Sequence, residues 1–169
     1  MTERIATFVE VYEYKNRKRK VKGNWQNAKP NQTLKYTPPG GDQRNYEFLN
    51  FIYSGATLTR TGDNIQAQLV LAVNQIAKTR IAEMVNEFWH VDVSVVRMNA
   101  DFTEVVDLKN NSHVLARDNW LAASMTYDAE KVEVLLSSAI DAVGALVPNR
   151  ILVSGEVGPL PVTGSLSIN

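Results

Sequence analysis

The sequence predicts a mainly β protein: a small antiparallel β-barrel or sandwich with one amphipathic helix. About seven short segments are rich in β-branched and aromatic residues and are separated by turn formers, as strands are. Only one segment, about residues 74–89, repeats apolar residues at helical spacing. The 169 residues are 44% apolar and include no cysteine, so we expect a single core without disulfides. One substantial helix among seven strands suits a barrel or sandwich that the helix crosses.

The first strand is predicted at residues 5–14, and the basic segment 15–22 follows it. This segment holds six Lys or Arg residues and no acid. Such a run is typical of a solvated hairpin tip or loop; the alternative is a contact with an anionic partner, either nucleic acid or an acidic face of a neighbouring subunit. Trp25 and Tyr36 are not interleaved with the basic residues, so nucleic acid is the less favoured partner.

Residues 26–47 are dominated by turn formers. The run Pro-Pro-Gly-Gly at residues 38–41 excludes a helix or a central strand. We therefore expect a long loop or an arm that orders against a neighbour. Residues 48–56 and 65–73 follow as two predicted strands on either side of the turn-rich segment 60–64.

The helix is predicted from apolar residues at three- and four-residue steps with charged residues between them. These residues are Ile76, Ala77, Ile81, Met84, Val85 and Phe88. After the helix, valines alternate with polar residues over 91–95, which predicts a half-buried strand. A short strand is expected at 105–108.

Residues 120–138 predict an antiparallel hairpin with a tight acidic and polar turn at 128–131. Residues 138–147 then predict a brief helical turn that Pro148 stops, because the residue before a proline avoids the helical region. We expect a single domain overall.

Within that domain we distinguish three segments. Residues 1–47 are the N-terminal strand, basic loop and Pro/Gly-rich arm. Residues 48–158 are the barrel, and residues 159–169 are a C-terminal extended arm.

That last arm contains Leu-Pro-Val-Thr-Gly at residues 160–164, which matches the L-P-x-T-G pentapeptide that sortases cut. Only five residues follow it, whereas a sorting signal needs a membrane-spanning apolar stretch of about 20 residues and then basic residues. We therefore interpret the end of the chain as an extended arm that its two prolines stiffen. No secretory signal or membrane span is expected elsewhere.

The net charge of zero hides an asymmetry along the chain. Residues 1–62 carry eleven Lys or Arg against five acids, whereas residues 63–169 carry seven against thirteen. If the two parts occupy different faces, the basic surface of one copy can meet the acidic surface of another. If they interleave in the fold, the imbalance vanishes.

No catalytic or metal-binding spacing is present, so no catalytic, cofactor or metal residue is predicted. The chain has no Gly-rich phosphate loop, no G-x-S-x-G elbow and no pair of closely spaced histidines. We expect His90 to be a helix-terminus or packing residue and His113 to lie in a surface loop. Acids such as Asp92 and Asp118 are scattered, and a spatial pair of acids in a small hydrolase stays open as the least favoured alternative.

The order of elements resembles the tail-tip and baseplate hub proteins of tailed bacteriophages. Over residues 48–154 it is most similar to the amino-terminal domain of the minor tail protein L family of lambda-like phages and its short single-domain relatives. In that family a late hairpin and a following helical segment carry a motif that matches, in this chain, Tyr127, Asp128, Val132, Val134, Pro148 and Arg150. The chain departs from the longer members, since it lacks their cysteines and their iron–sulfur domain, and residues 1–47 have no counterpart.

The resemblance implies a structural virion protein and not an enzyme. It would form a ring of three or six copies that joins the tail tube or distal tail ring to the central hub protein. It would assemble in the host bacterial cytoplasm, become part of the tail, and need no cofactor. The charge reversal and the long arm agree with a ring subunit, because ring interfaces repeat two unlike surfaces.

Overall fold

A computed structural model describes residues 3–58, 65–73, 75–106 and 113–138 of the chain. It contains nine strands and one helix, so the predicted mainly β class with a single helix is confirmed. The elements are β1 Arg4–Lys15, β2 Lys18–Gln26, β3 Leu34–Tyr36, β4 Arg44–Phe48, β5 Phe51–Leu58, β6 Ile65–Ala72, α1 Gln75–Asn86, β7 His90–Met98, β8 Val114–Tyr127 and β9 Lys131–Ser137.

All nine strands belong to one sheet with the order β3-β4-β2-β1-β7-β8-β9-β6-β5. Neighbouring strands are antiparallel except β2 and β4, which pair in parallel over two residues. The order is linear, so over the described residues strand pairing does not close a barrel. The sheet nevertheless coils: Asn27, which follows β2, donates from Nδ2 to Phe51 O of β5 at 3.4 Å, and residues of β1 share a core with residues of β5 and β6.

The inner face of the coiled sheet encloses the main core. Strands alternate buried and less buried residues, so every second side chain points inward. α1 adds Ile81 and Met84, and the loop after it adds Trp89. Full burial of each large apolar side chain stabilises the fold by about 1.5–3 kcal/mol. The strand residues of this core are Val9, Val11, Phe51, Ala67, Leu69, Leu71, Val91, Val93, Trp120, Ala122, Val132, Val134 and Leu136.

A second, smaller core lies on the outer face of β1 and β7, beneath β3 and β4. Phe8 of β1 stacks on Tyr36 with ring centroids 4.5 Å apart and meets Tyr46 edge-on at 4.9 Å. Burial raises the pKa of Tyr46 to about 12. The β3–β4 segment is thus held on the sheet by aromatic packing.

This packing corrects the expectation that residues 26–47 form a long loop or an arm. The segment contains β3 and β4, and its aromatic residues are buried against the sheet. Residues 1–47 are likewise not set apart from 48–158, since β1 and β2 pair within the same sheet as β7 and β8. The turn formers concealed these strands because a three-residue strand has too few residues to show a period.

α1 ends three residues earlier than the predicted helix, at a left-handed residue. Phe88 has φ 50°; its N–H donates to Val85 O at 3.3 Å, and Trp89 N–H donates to Met84 O at 3.0 Å. This pair of bonds is the Schellman arrangement, which usually places glycine where Phe88 lies. In the described part of the chain no helix is long and apolar enough to span a membrane.

The hairpin predicted at 120–138 is confirmed as β8 and β9, which pair antiparallel across a turn at 128–131. Of the strand expected at 105–108, the structure shows a single bridge between Val105 and Met98. The turn at 60–64 and the arm at 159–169 lie outside the described residues, and so does the predicted helical turn 138–147 after Ser138. So do Pro148 and Arg150.

Candidate functional site

The densest group of charged side chains lies on the outer face of the sheet, at its middle strands. Antiparallel pairing places Glu10 of β1 opposite Asp92 of β7, and Asp92 opposite Asn119 of β8. Directly opposite residues on one face lie within contact distance. The pairing register therefore brings together two carboxylates that are 82 positions apart in sequence, and no local spacing signals this.

Two arginines neutralise the Glu10 carboxylate. Arg19 of β2 pairs with Oε1, and Arg44 of β4 pairs with Oε2. The Glu10 side chain is only 5% exposed, whereas the arginines reach it from the more exposed surface. A buried carboxylate persists only when it is paired in this way, because removal of its partners leaves an uncompensated charge.

Both carboxylate oxygens of Asp92 also accept hydrogen bonds. Its Oδ2 accepts a hydrogen bond from Arg19 at 3.1 Å, and its Oδ1 accepts from the Tyr12 hydroxyl at 3.2 Å and from Asn119 Nδ2. Arg19 also lies 3.7 Å over the Tyr12 ring. Burial, and then the charge of Asp92, raise the pKa of Tyr12.

A cavity of about 220 Å³ lies between this cluster and the loop that joins β3 to β4. Its wall includes Arg117 and Asp42 in addition to the paired charges. All four carboxylate oxygens of Glu10 and Asp92 are engaged by protein groups, so neither oxygen pair is left to hold a proton or a water for glycosidic chemistry. The arrangement ties β4, β2, β1, β7 and β8 together across the outer face.

The structure confirms the prediction for His90 and contradicts the prediction for His113. The expected packing role of His90 is confirmed, since its ring stacks on Tyr12 at 5.2 Å and meets Tyr14 edge-on at 5.1 Å. Burial lowers the pKa of His90, and the charge of Asp92 opposes this.

The surface position expected for His113 is wrong. Its side chain is 1% exposed, and neither ring nitrogen has a hydrogen-bond partner among the residues that the structure describes. The backbone holds the residue against the sheet: His113 O accepts from Arg97 N–H of β7 at 2.7 Å, directly before β8 begins at Val114.

The basic segment 15–22 forms the end of β1, a two-residue turn and the start of β2, as the hairpin-tip interpretation predicts. Its cations fall into two groups. At the base, Arg19 pairs with Glu10 and Asp92, Lys20 with Glu13 at 3.9 Å, and Lys22 with Glu13 at 3.1 Å. At the tip, no ion pair joins Lys15, Arg17 or Lys18 to another residue of the described ranges. Three cations thus remain available to a partner.

A larger cavity of about 690 Å³ follows the seam where the sheet does not close. Apolar side chains of β2, β6 and α1 line its inner wall, among them Trp25, Leu71 and Ile81, and the cations Lys22 and Arg80 lie at its rim. Polar side chains also line the cavity, among them Asn24, Asn45 and Glu47.

Within the four described ranges, no three His, Asp or Glu side chains are placed to hold a metal ion. Comparison with protein-family models, with curated proteins and with solved structures found no match for this chain.

Proposed function

We propose that this chain is a structural subunit of the tail tip or baseplate of a tailed bacteriophage. In this proposal it forms a ring of three or six copies that joins the tail tube or distal tail ring to the central hub protein. It belongs to the virion tail, is assembled in the host cytoplasm, and acts by packing against other polypeptides. The resemblance of residues 48–154 supplies the family, and the features below support the role.

The observation that carries the proposal is the open edge of the sheet at β5. β5 pairs with β6 on one side only over the described residues, and Ile52, near its start, is 67% exposed. An edge strand with an exposed apolar side chain is a template for pairing with another chain. In an isolated monomer such an edge promotes aggregation, whereas in an assembly it forms an interface between subunits.

Exposed apolar side chains elsewhere also support a role in assembly. Aromatic residues are enriched at protein interfaces, and isolated soluble domains seldom expose several of them at one end. Three of the exposed residues, Tyr14, Phe88 and Tyr127, lie at the end of the sheet where β7 begins. Ile5 and Leu115 lie towards the opposite end. Two separated contact regions are what a heterologous ring interface requires.

The charged cluster favours this role over catalysis and over nucleic-acid binding. Its carboxylates are engaged by arginines, so the cluster braces the sheet. Half of the cations in the basic segment 15–22 are paired within the chain, which leaves a small tip in place of the long cationic track that a nucleic-acid strand needs.

The test is native mass spectrometry of the purified chain, alone and mixed with tail-tube, distal-tail and hub proteins of a tailed phage. We expect a discrete species of three or six copies, or a stoichiometric complex with one of these proteins. A chain that remains a monomer over a wide range of concentration and joins none of them would overturn the proposal.

A further inference from the structure

The tip of the β1–β2 hairpin breaks two local rules of hairpin stability. Asn16 and Arg17 both have positive φ, 52° and 60°, which defines a type I′ turn. The second position of this turn favours glycine, because a side chain there is strained. In addition, Lys15 lies directly opposite Lys18 in the pairing, and like charges directly opposite each other destabilise a hairpin.

Departures from local preference concentrate at functional positions. Here both departures place positive charge at the tip. The base of the same hairpin shows the opposite arrangement, because Glu10, Glu13 and Asp92 neutralise its cations. Among the described residues, Arg19, Lys20 and Lys22 thus have ion-pair partners, whereas the three cations at the tip have none.

Aromatic side chains flank these cations. Tyr14 is 59% exposed and touches His90, and Phe88, two residues before His90, is 47% exposed in a left-handed conformation. We call this surface, formed by Tyr14, Lys15, Arg17, Lys18 and Phe88, the basic end. Arginine and aromatic residues are the types that most often dominate binding at protein interfaces.

A surface of opposite charge lies at the same end of the sheet. The β8–β9 turn presents Asp128 and Glu130 beside Tyr127, which is 63% exposed. Asp128 Oδ1 accepts from the N–H groups of Glu130 and Lys131, at 2.7 and 2.9 Å, which fixes the turn. Lys131 pairs with Glu133 and also attracts Asp128 and Glu130, so this turn holds three acids against one cation. We call residues 127–130 the acidic tip.

The two surfaces of one copy do not meet each other. In the strand order, β7 separates β1 from β8, so the two hairpin tips are about 14 Å apart at the usual strand spacing. Both project beyond the start of β7, because β1 continues past Tyr12 and β8 continues past Leu121, the residues in register with His90. A rotation about an axis along the strands therefore brings the basic end of one copy to the acidic tip of the next.

We infer that the basic end binds the acidic tip of a second copy of this chain, as the repeating contact of the ring. This inference rests on the proposed function and specifies its interface. A nucleic acid fits the basic end less well, because the cations occupy one turn and the next ones along β2 are already paired.

Charge reversal tests the contact. The variant Lys15→Glu/Lys18→Glu keeps the turn residues and keeps a like-charged opposite pair, so the hairpin itself is little changed. The variant Ala129→Lys/Glu130→Lys keeps Asp128, which fixes the other turn. Sedimentation should show that each variant alone associates at least tenfold more weakly than the unchanged chain, whereas an equal mixture of the two regains association. Lys29→Glu/Lys35→Glu, with the same change in net charge away from the basic end, should associate as the unchanged chain does.

Cross-linking provides an independent measurement, because the chain has no cysteine of its own. Lys18→Cys and Ala129→Cys chains, mixed and oxidised, should yield a disulfide-linked pair of unlike chains in preference to like pairs. Thermal melting by circular dichroism confirms that each variant is folded.

The outcomes separate this inference from the proposed function. If the unchanged chain assembles and the reversed variants assemble equally well, the tip contact is wrong and the structural role stands. If it binds tail proteins but never a second copy, the contact is also wrong. If it associates with nothing, the proposed function is wrong and the contact with it. If single-stranded DNA binds the unchanged chain and Lys15→Glu/Lys18→Glu abolishes this binding without affecting association, the basic end serves nucleic acid.

Discussion

Arg17 occupies a backbone conformation that glycine adopts without strain. Its φ of 60° at the second position of a type I′ turn costs about 1 kcal/mol for a residue with a Cβ atom. Arg17→Gly should therefore raise the free energy of unfolding by about 1 kcal/mol, as measured by urea denaturation. Asn16→Gly is the matched control and should change stability less, because asparagine tolerates the left-handed region. An Arg17→Gly chain that is no more stable than the unchanged one would show that the strain is absent.

Glu10 holds the outer face together through its two arginines. Glu10→Ala leaves Arg19 and Arg44 without that carboxylate, and loss of one partner from a largely buried pair costs about 3 kcal/mol. Glu3→Ala removes an exposed partner of Arg97, at 3.3 Å, and should cost less than about 1 kcal/mol. Urea denaturation of both variants compares the two. Equal losses would mean that the Glu10 cluster is no stronger than a surface pair.

His90 makes stability depend on pH. Burial lowers the pKa of His90 in the folded state, so below the unfolded value of about 6.5 the unfolded chain binds more protons than the folded one. The free energy of unfolding should therefore fall as pH decreases through about 6.5 towards the folded pKa. His90→Gln should reduce this slope between pH 7.5 and 5.5 in urea titrations. An unchanged slope would assign the effect to other groups.

At the scale of elements, substitutions in β5 and β6 should distinguish residues that stabilise the fold from residues that mediate assembly. Leu69 of β6 is fully buried in the main core, whereas Ile52 of β5 is exposed at the open edge. Leu69→Ala should lower the free energy of unfolding by about 2–5 kcal/mol, because it leaves a cavity. Ile52→Ala should change it by less than about 0.5 kcal/mol and instead weaken self-association, if the edge is a joint. Thermal melting and sedimentation measure the two effects, and an Ile52→Ala chain that associates normally would remove β5 from the interface.

The elements that sequence reasoning identified are those whose signal is local. β1, β6, the β8–β9 hairpin and α1 each carry an apolar period over eight residues or more, so their type was predictable. β3 is three residues long, and β4 pairs in parallel with a strand from which 17 residues separate it, so neither leaves a periodic pattern. The Glu10–Asp92 pair and the buried His113 depend on register between distant strands, and register is set by the whole sheet.

At the scale of the whole molecule, the strand order separates the two parts of the charge asymmetry. β1 to β4 are contiguous at one side of the sheet and β6 to β9 lie together beyond them, with β5 as the exception. Basic and acidic parts thus occupy different regions, although the cluster around Glu10 neutralises charge where they meet. The cations Lys15, Arg17 and Lys18 and the acids Asp128 and Glu130 lie at the hairpin tips, away from that cluster.

This distribution predicts that salt affects assembly and stability differently. The Debye length falls from about 14 Å at 0.05 M salt to about 4 Å at 0.5 M, so a contact between exposed tips weakens strongly over that range. Self-association should become at least tenfold weaker, as measured by sedimentation. The urea midpoint should change little, because the apolar core and the largely buried Glu10 pairs are screened much less. Lys15→Glu/Lys18→Glu serves as the control, since with the tip contact already lost its residual association should no longer weaken with salt. Association that strengthens with salt would instead mean that the apolar edge at Ile52, and not the charged tips, is the principal joint of the assembly.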